Sequence, residues 1–270
     1  FVALGKVERI NLFQHWMTAG GIKMIVLLML LPFLFSGKVS KEKRITIAVS
    51  VVLASVTLLL TQTRSSWLGF GAGFLFLALF QHRKLLFAIP VAALLIWLTA
   101  PASLMERFTN MVAISSAGEQ ETATVASNMN RIRMWKTGWQ IFTEYPVFGV
   151  GDGHMGKIYR RYVTPDDPAE GGHLHNTYIH VLATHGIVDF VAMMALFVAI
   201  VRMEWREWRR NYGGLASGIA GGAIAANIGF AVNGVAEYNF GDHEIIVLLW
   251  FTVGVVVALS RMRKAEAERV

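Results

Sequence analysis

The chain has 270 residues, 54% of them hydrophobic and only 16% charged, with a mean hydropathy of +0.48. Soluble chains carry about 25% charged residues, so this composition excludes a soluble globular domain and a disordered chain alike. The absence of cysteine rules out disulfide scaffolds and thiolate metal sites. The net charge of +7 would suggest nucleic acid in a soluble protein, but in a membrane chain it is first a topology signal.

A spanning helix needs ~20 mostly apolar residues. In chain order seven segments qualify or come close: 20–35, 45–62, 66–81, 85–100, 177–201, 214–235 and 244–260. They predict an all-α fold, a polytopic transmembrane helical bundle of about seven spans. Three parts are expected: helices with short loops over 1–100, one long hydrophilic loop over 101–176, and C-terminal helices over 177–270. The many glycines within the apolar runs suit helices whose backbones approach closely. The chain opens on Phe1 without a basic n-region or a small-residue cleavage site, and reads as the later part of a longer polytopic protein.

Alternate short loops carry Lys38, Lys41, Lys43 and Arg44; Arg83 and Lys84; Arg202, Arg206, Arg209 and Arg210; and Arg261, Arg263, Lys264 and Arg269. These are more than half of the 25 basic residues, all on one side, and the positive-inside rule makes that side cytoplasmic. The opposite short loops, 61–65 and 236–243, hold Arg64 as their only basic residue. Most of the positive charge is therefore a topology device, and no nucleic-acid partner is expected. The loop 101–176 then lies outside the cytoplasm, with its Ser-, Ala-, Thr- and Glu-rich stretch 115–127 expected to be mobile.

Arg64 interrupts T-Q-T-R-S-S-W between two apolar spans. Such an arginine either snorkels to the headgroups or marks a functional path at membrane depth. Further on, Arg131, Trp135, Trp139 and Phe142 recur on one stripe of a helix, with Arg133, Lys136 and Gln140 largely opposite. Asn128 or Asn130 would cap this helix, placing Arg131 in a first turn that favours an anion. The helix is amphipathic, with its tryptophans expected at the membrane–water interface. The segment G-V-G-D-G-H-M-G at 149–156 formally matches G-x-G-x-x-G. A dinucleotide site requires a preceding strand, a following helix and a cytoplasmic nucleotide; here Pro146 closely precedes the segment and the loop is external, so it reads as a glycine-rich turn.

The densest polar cluster is H-L-H-N at His173–Asn176, just before a span. Extended, His173 and His175 could share a face and bind metal with a third ligand from His154, Asp152, Asp167 or Glu170, although no ligand spacing is recognisable. Surface or capping histidines are a second possibility. A catalytic histidine is the third, since a neutral imidazole suits general base work.

Taken together, T-Q-T-R-S-S-W-L-G, R-I-R-M-W…E-Y-P-V-F-G-V-G and H-L-H-N-T-Y-I-H-V-L-A-T-H-G-I resemble, in order and spacing, the signature segments of the O-antigen ligase and polymerase superfamily over about residues 60–200. The sequence departs from that pattern at Thr184, where an acidic residue is common. The resemblance implies a glycosyltransferase of the bacterial inner membrane, with its active site on the periplasmic face. The implied partners are an undecaprenyl-pyrophosphate-linked glycan donor, a lipid A-core or other glycan acceptor, and membrane lipid. It also implies that the chain is the C-terminal portion of such an enzyme. Arg64 and Arg131 would hold the pyrophosphate and His175 would act as general base, with Asn176 and His173 in support; no cofactor and no metal are expected. O-antigen ligation is the preferred activity, because H-L-H-N followed by an aromatic residue is more ligase-like. Repeat-unit polymerisation and protein O-glycosylation are the alternatives within the superfamily. A membrane transporter is the alternative of another class, for which Asp189 and His185 inside the span 177–201 leave room.

Overall fold

A computed structural model of the chain describes residues 2–3, 6–7, 15–36, 38–87, 90, 98, 123–163, 172–210 and 214–268. Apart from a two-residue antiparallel pair, β1 (Val2–Ala3) with β2 (Lys6–Val7), the described residues form an all-helical chain. In order its helices are α1 (Trp16–Leu34), α2 (Lys41–Leu60), α3 (Arg64–Phe76), α4 (Ala123–Glu144), α5 (Met155–Tyr159), α6 (Thr177–Arg210), α7 (Leu215–Asn233) and α8 (His243–Ala267). Two compact units are formed: Phe1–Met105 with Ala199–Asn233 and Asp242–Val270, and Glu106–Val198 with Gly234–Gly241.

Among the described residues five helices, α1, α2, α6, α7 and α8, are long and apolar enough to cross a membrane. This is a multi-pass membrane protein. The segment expected to span at 66–81 is helical throughout, as the 13-residue α3 continued by a π-helical turn at Leu77–Gln81. The expected span at 85–100 lies almost wholly outside the described residues.

In the first unit α7 is the central helix. Its sequence, LASGIAGGAIAANIGFAVN, is dominated by small residues, and most of it is buried. α3 packs so closely on it that side chains at Gly69 and Gly73 would strike the carbonyls of Gly229 and Ala225, the close backbone approach that small residues permit in membranes. Asn227 of α7 donates to both carboxylate oxygens of Glu204, at 3.0 and 3.1 Å, and Arg263 of α8 pairs with Glu207 at 2.7 Å. α2 is the opposite case. It begins at a Ser40 cap accepting from the Lys43 N–H, and its Ile45, Val49, Val52, Leu53 and Val56 are exposed, an apolar face suited to lipid.

The second unit has its own core: Met134 and Ile141 of α4, Met155 and Tyr159 of α5, Leu174, and Ala183 of α6. α6 enters this unit broken at Gly186, whose φ of 74° is outside the helical range. The backbone groups freed there are taken up by the preceding loop. Ile187 donates to Pro146 (2.8 Å), Val150 to Ala183 (3.0 Å) and Gly151 to Thr184 (2.7 Å). Non-helical backbone in such a segment persists only when its polar groups are satisfied in this way. The fit demands glycine on both sides. Gly149 and Gly186 have positive φ, and a Cβ on either would run into the backbone of the other segment. The G-V-G-D-G run is thus a structural splice against the helix break.

Candidate active site

The site is built in the second unit, where α4, the start of α6 and the loop 234–241 meet. α4 begins at Ala123, earlier than its sequence suggests. Asn128 and Asn130 therefore lie inside the helix, and Arg131 sits about two turns in. The first-turn anion site expected at Arg131 is corrected accordingly; its guanidinium acts as a side chain and not through the helix terminus. The buried face of α4 is Met134, Thr137, Gly138 and Ile141, whereas Trp139 is exposed and stacks near Phe142. The expected stripe divides: Trp139 turns out, and Arg131 and Trp135 turn toward the polar centre.

Leu174, fully buried, fixes the H-L-H-N segment to the core. The next residue, His175, has φ 46°, a left-handed conformation that costs a non-glycine residue of order 1–3 kcal/mol and clusters at functional sites. Its carbonyl accepts from Trp135 Nε1 at 3.4 Å. Asn176 caps α6, its Oδ1 accepting from the Ile179 N–H at 2.9 Å, while its Nδ2 donates to the Val235 carbonyl at 2.8 Å. Thr177 donates its N–H to Gly234 and its hydroxyl to the Glu237 carbonyl. The cap of α6 therefore also staples the loop 234–241 in place.

That staple brings in a residue the sequence did not single out. The Glu237 side chain is 10% exposed. One carboxylate oxygen lies 2.9 Å from His175 Nδ1, and the other lies 3.6 Å from Arg131 Nη2. Oε1 also accepts from the Tyr238 N–H at 3.3 Å. Burial alone would raise the Glu237 carboxyl above its ordinary range, but the hydrogen bond from His175 and the positive charge of Arg131 outweigh it and hold it below that range. Burial lowers the Arg131 guanidinium from its ordinary value, with Glu237 opposing the shift. The only sequence signal for Glu237 was an acidic residue in the short loop 236–243, which has no Lys or Arg.

His173 is exposed and its ring centroid is 4.1 Å from that of His175. Ligand-type atoms of His173, His175 and Glu237 all lie within 4.8 Å of one another. These are the described residues near enough to hold one divalent ion, and the third of them is Glu237 instead of the loop residues suggested by sequence. A second polar group lies nearby: Asp152 is 3.2 Å from His180 Nε2 and 3.6 Å from His185 Nε2, with the Tyr238 ring against His180. Thr184, where the superfamily pattern has an acidic residue, contacts the His185 Nδ1 at 2.7 Å and donates to the His180 carbonyl.

Arg64 belongs to the first unit. It is the first residue of α3, next to a Thr63 whose hydroxyl donates to the Trp16 carbonyl at 3.1 Å. Gln62, with φ 52°, makes the turn before it. Of the sequence-derived residues, the structure brings together Arg131, His173, His175 and Asn176, and it joins Arg131 to His175 through Glu237.

Several apolar helices long enough to span a bilayer, and a cluster of arginine, histidine and a buried glutamate in the second unit, define an integral membrane protein with a polar centre. A family model described as O-antigen ligase matches residues 49–194, more than half of the chain, and the chain belongs to that family. No curated protein matches it. The matched stretch holds Arg64, Arg131, His173, His175 and Asn176, and ends before Glu237. Membership points to a glycosyltransferase of the O-antigen ligase and polymerase kind, working on lipid-linked glycans in lipopolysaccharide biosynthesis.

Proposed function

We propose that this protein moves a glycan from undecaprenyl pyrophosphate to a hydroxyl of lipid A-core, at the periplasmic face of the bacterial inner membrane. The loop 101–176 supplies most of the catalytic part. The observation that supports this reading is that Arg131 and His175, 44 positions apart, converge on one buried carboxylate within the second unit. The donor already carries a good leaving group, so no ATP is required. His175 takes the proton of the acceptor hydroxyl, and that oxygen bonds to the anomeric carbon of the donor sugar. The bond from this carbon to the pyrophosphate oxygen breaks, and its electron pair leaves with the lipid pyrophosphate. Arg131 holds phosphate oxygens in bidentate fashion and stabilises the charge that develops there; Arg64 is the second arginine that the resemblance assigns to the pyrophosphate.

The test is a purified assay with undecaprenyl-pyrophosphate-linked glycan and chelator, offering lipid A-core or a second lipid-linked repeat unit as acceptor. Transfer to lipid A-core is expected. Elongation of the repeat unit alone would make the protein a polymerase. His175→Ala should lower the rate by ~10²–10⁴-fold, the usual contribution of a positioned base, whereas His173→Ala should keep substantial activity. The His173, His175 and Glu237 grouping favours one other reading, a bound divalent ion. Loss of activity with chelator and its return with a divalent cation would replace the general base by that ion.

A further inference from the structure

Glu237 lies beyond the stretch that matches the family and reaches the site only through the stapled loop, yet its carboxylate touches both groups on which the proposed chemistry depends. A bland account makes it one half of a buried ion pair with Arg131. The geometry argues against that account. Arg131 Nη2 is 3.6 Å away, too far for a hydrogen bond, and Glu237 Oε2 has no hydrogen-bond partner among the described residues. The short contact is the 2.9 Å one from Oε1 to His175 Nδ1, and the Tyr238 N–H fixes that same oxygen. Nor is the carboxylate needed to hold the loop, because Asn176 and Thr177 grip the backbone carbonyls of Val235, Gly234 and Glu237. A buried charge is costly unless paired and hydrogen-bonded, and here the hydrogen-bonded partner is the imidazole.

An ionised carboxylate only accepts hydrogen bonds, so the nitrogen facing it must carry the proton. We infer that Glu237 is the positioning residue of the site: it holds the His175 imidazole by Nδ1–H, leaves Nε2 as the nitrogen that takes the acceptor's proton, and offsets the positive charge the ring then gains. The inference rests on the general-base reading of His175 given above. In the reaction the hydroxyl proton passes to Nε2 while Nδ1–H stays with Glu237, so the carboxylate itself is not protonated. The same carboxylate faces Arg131 and competes with the donor's phosphates for it, which gives the residue a kinetic signature. Removing its charge should slow the chemical step without weakening donor binding.

The deciding experiment is a double-mutant cycle on the full chain, with kcat and donor KM measured under chelator for Glu237→Gln, Glu237→Asp, His175→Ala and the paired variants, and membrane insertion and thermal unfolding followed in parallel. Glu237→Gln should lower kcat by about 10²-fold, within the range a positioned base contributes, with donor KM unchanged or lower. Glu237→Asp should recover part of that loss. Either substitution added to His175→Ala should cost nothing more, because the two residues act as a unit. Losses that add to those of His175→Ala, or a kcat within about threefold of the parent, would overturn the positioning role. Should Glu237→Gln fail to fold, the Glu237→Asp cycle decides by the same criterion of additivity. An unimpaired His175→Ala would instead overturn the general-base reading itself.

Discussion

At the scale of single residues, two arginines of α4 lie two positions apart and differ in what they face. Arg131 is 15% exposed and faces Glu237, whereas Arg133 is exposed and, among the described residues, its guanidinium reaches back to Asn130 on its own helix. A clamp on pyrophosphate needs the first and not the second. Arg131→Ala should therefore reduce glycan transfer severely, and Arg131→Lys should rescue it poorly, because an ammonium cannot make the paired contacts of a guanidinium. Arg133→Ala should leave the rate within about twofold, as exposed charges contribute little. Rates measured on equal amounts of inserted protein would decide it; equal losses for the two arginines would point to the general positive charge of the loop.

At the scale of elements, the broken helix α6 is the feature on which the site depends. His175, Asn176 and Thr177 stand at its N-terminal end, and the splice of residues 146–151 onto residues 183–188 sets how that end meets the core. Gly186→Ala would add a Cβ at φ 74° against the Val147 carbonyl. Substitution of a glycine at positive φ destabilises by more than about 1 kcal/mol, so a lowered unfolding temperature in detergent is expected. Gly153→Ala, where nothing lies within 4 Å of the added carbon, is the matched control and should leave that temperature in place. The sequence displays the glycines of this segment but not their purpose, since the partner strand of backbone is some 35 residues further along the chain. The early start of α4 was hidden for a related reason. Thr124, Val125 and Ser127 are middling helix formers, and Val125, 5% exposed, is buried by packing.

For the whole molecule, the proposed chemistry requires one orientation in the membrane. The positive-inside rule, applied to the basic residues of alternate short loops, predicts 38–44 and 202–210 in the cytoplasm and the loop 101–176 outside. Because the chain has no cysteine, single-cysteine variants give a clean test. Positions 120 and 240 should label with an impermeant maleimide in intact spheroplasts, and positions 40 and 207 only after lysis. Labelling of position 120 only after lysis would reverse the topology and remove the periplasmic chemistry with it.

The membrane class, the all-helical fold, most of the spans and the choice of Arg131 and His175 as candidates came from the amino-acid sequence alone. Each depends on local composition, on helical periodicity or on a short motif, and these survive in one dimension. Tertiary structure decided the rest. It docked the third apolar segment on α7, where Gly69 and Gly73 let the two backbones meet. It gave G-V-G-D-G its work as a splice, and it set Glu237 against His175 across 62 positions of sequence. No spacing rule encodes a carboxylate delivered by a loop between two other helices; it arrives only once Asn176 and Thr177 have closed that loop onto the start of α6.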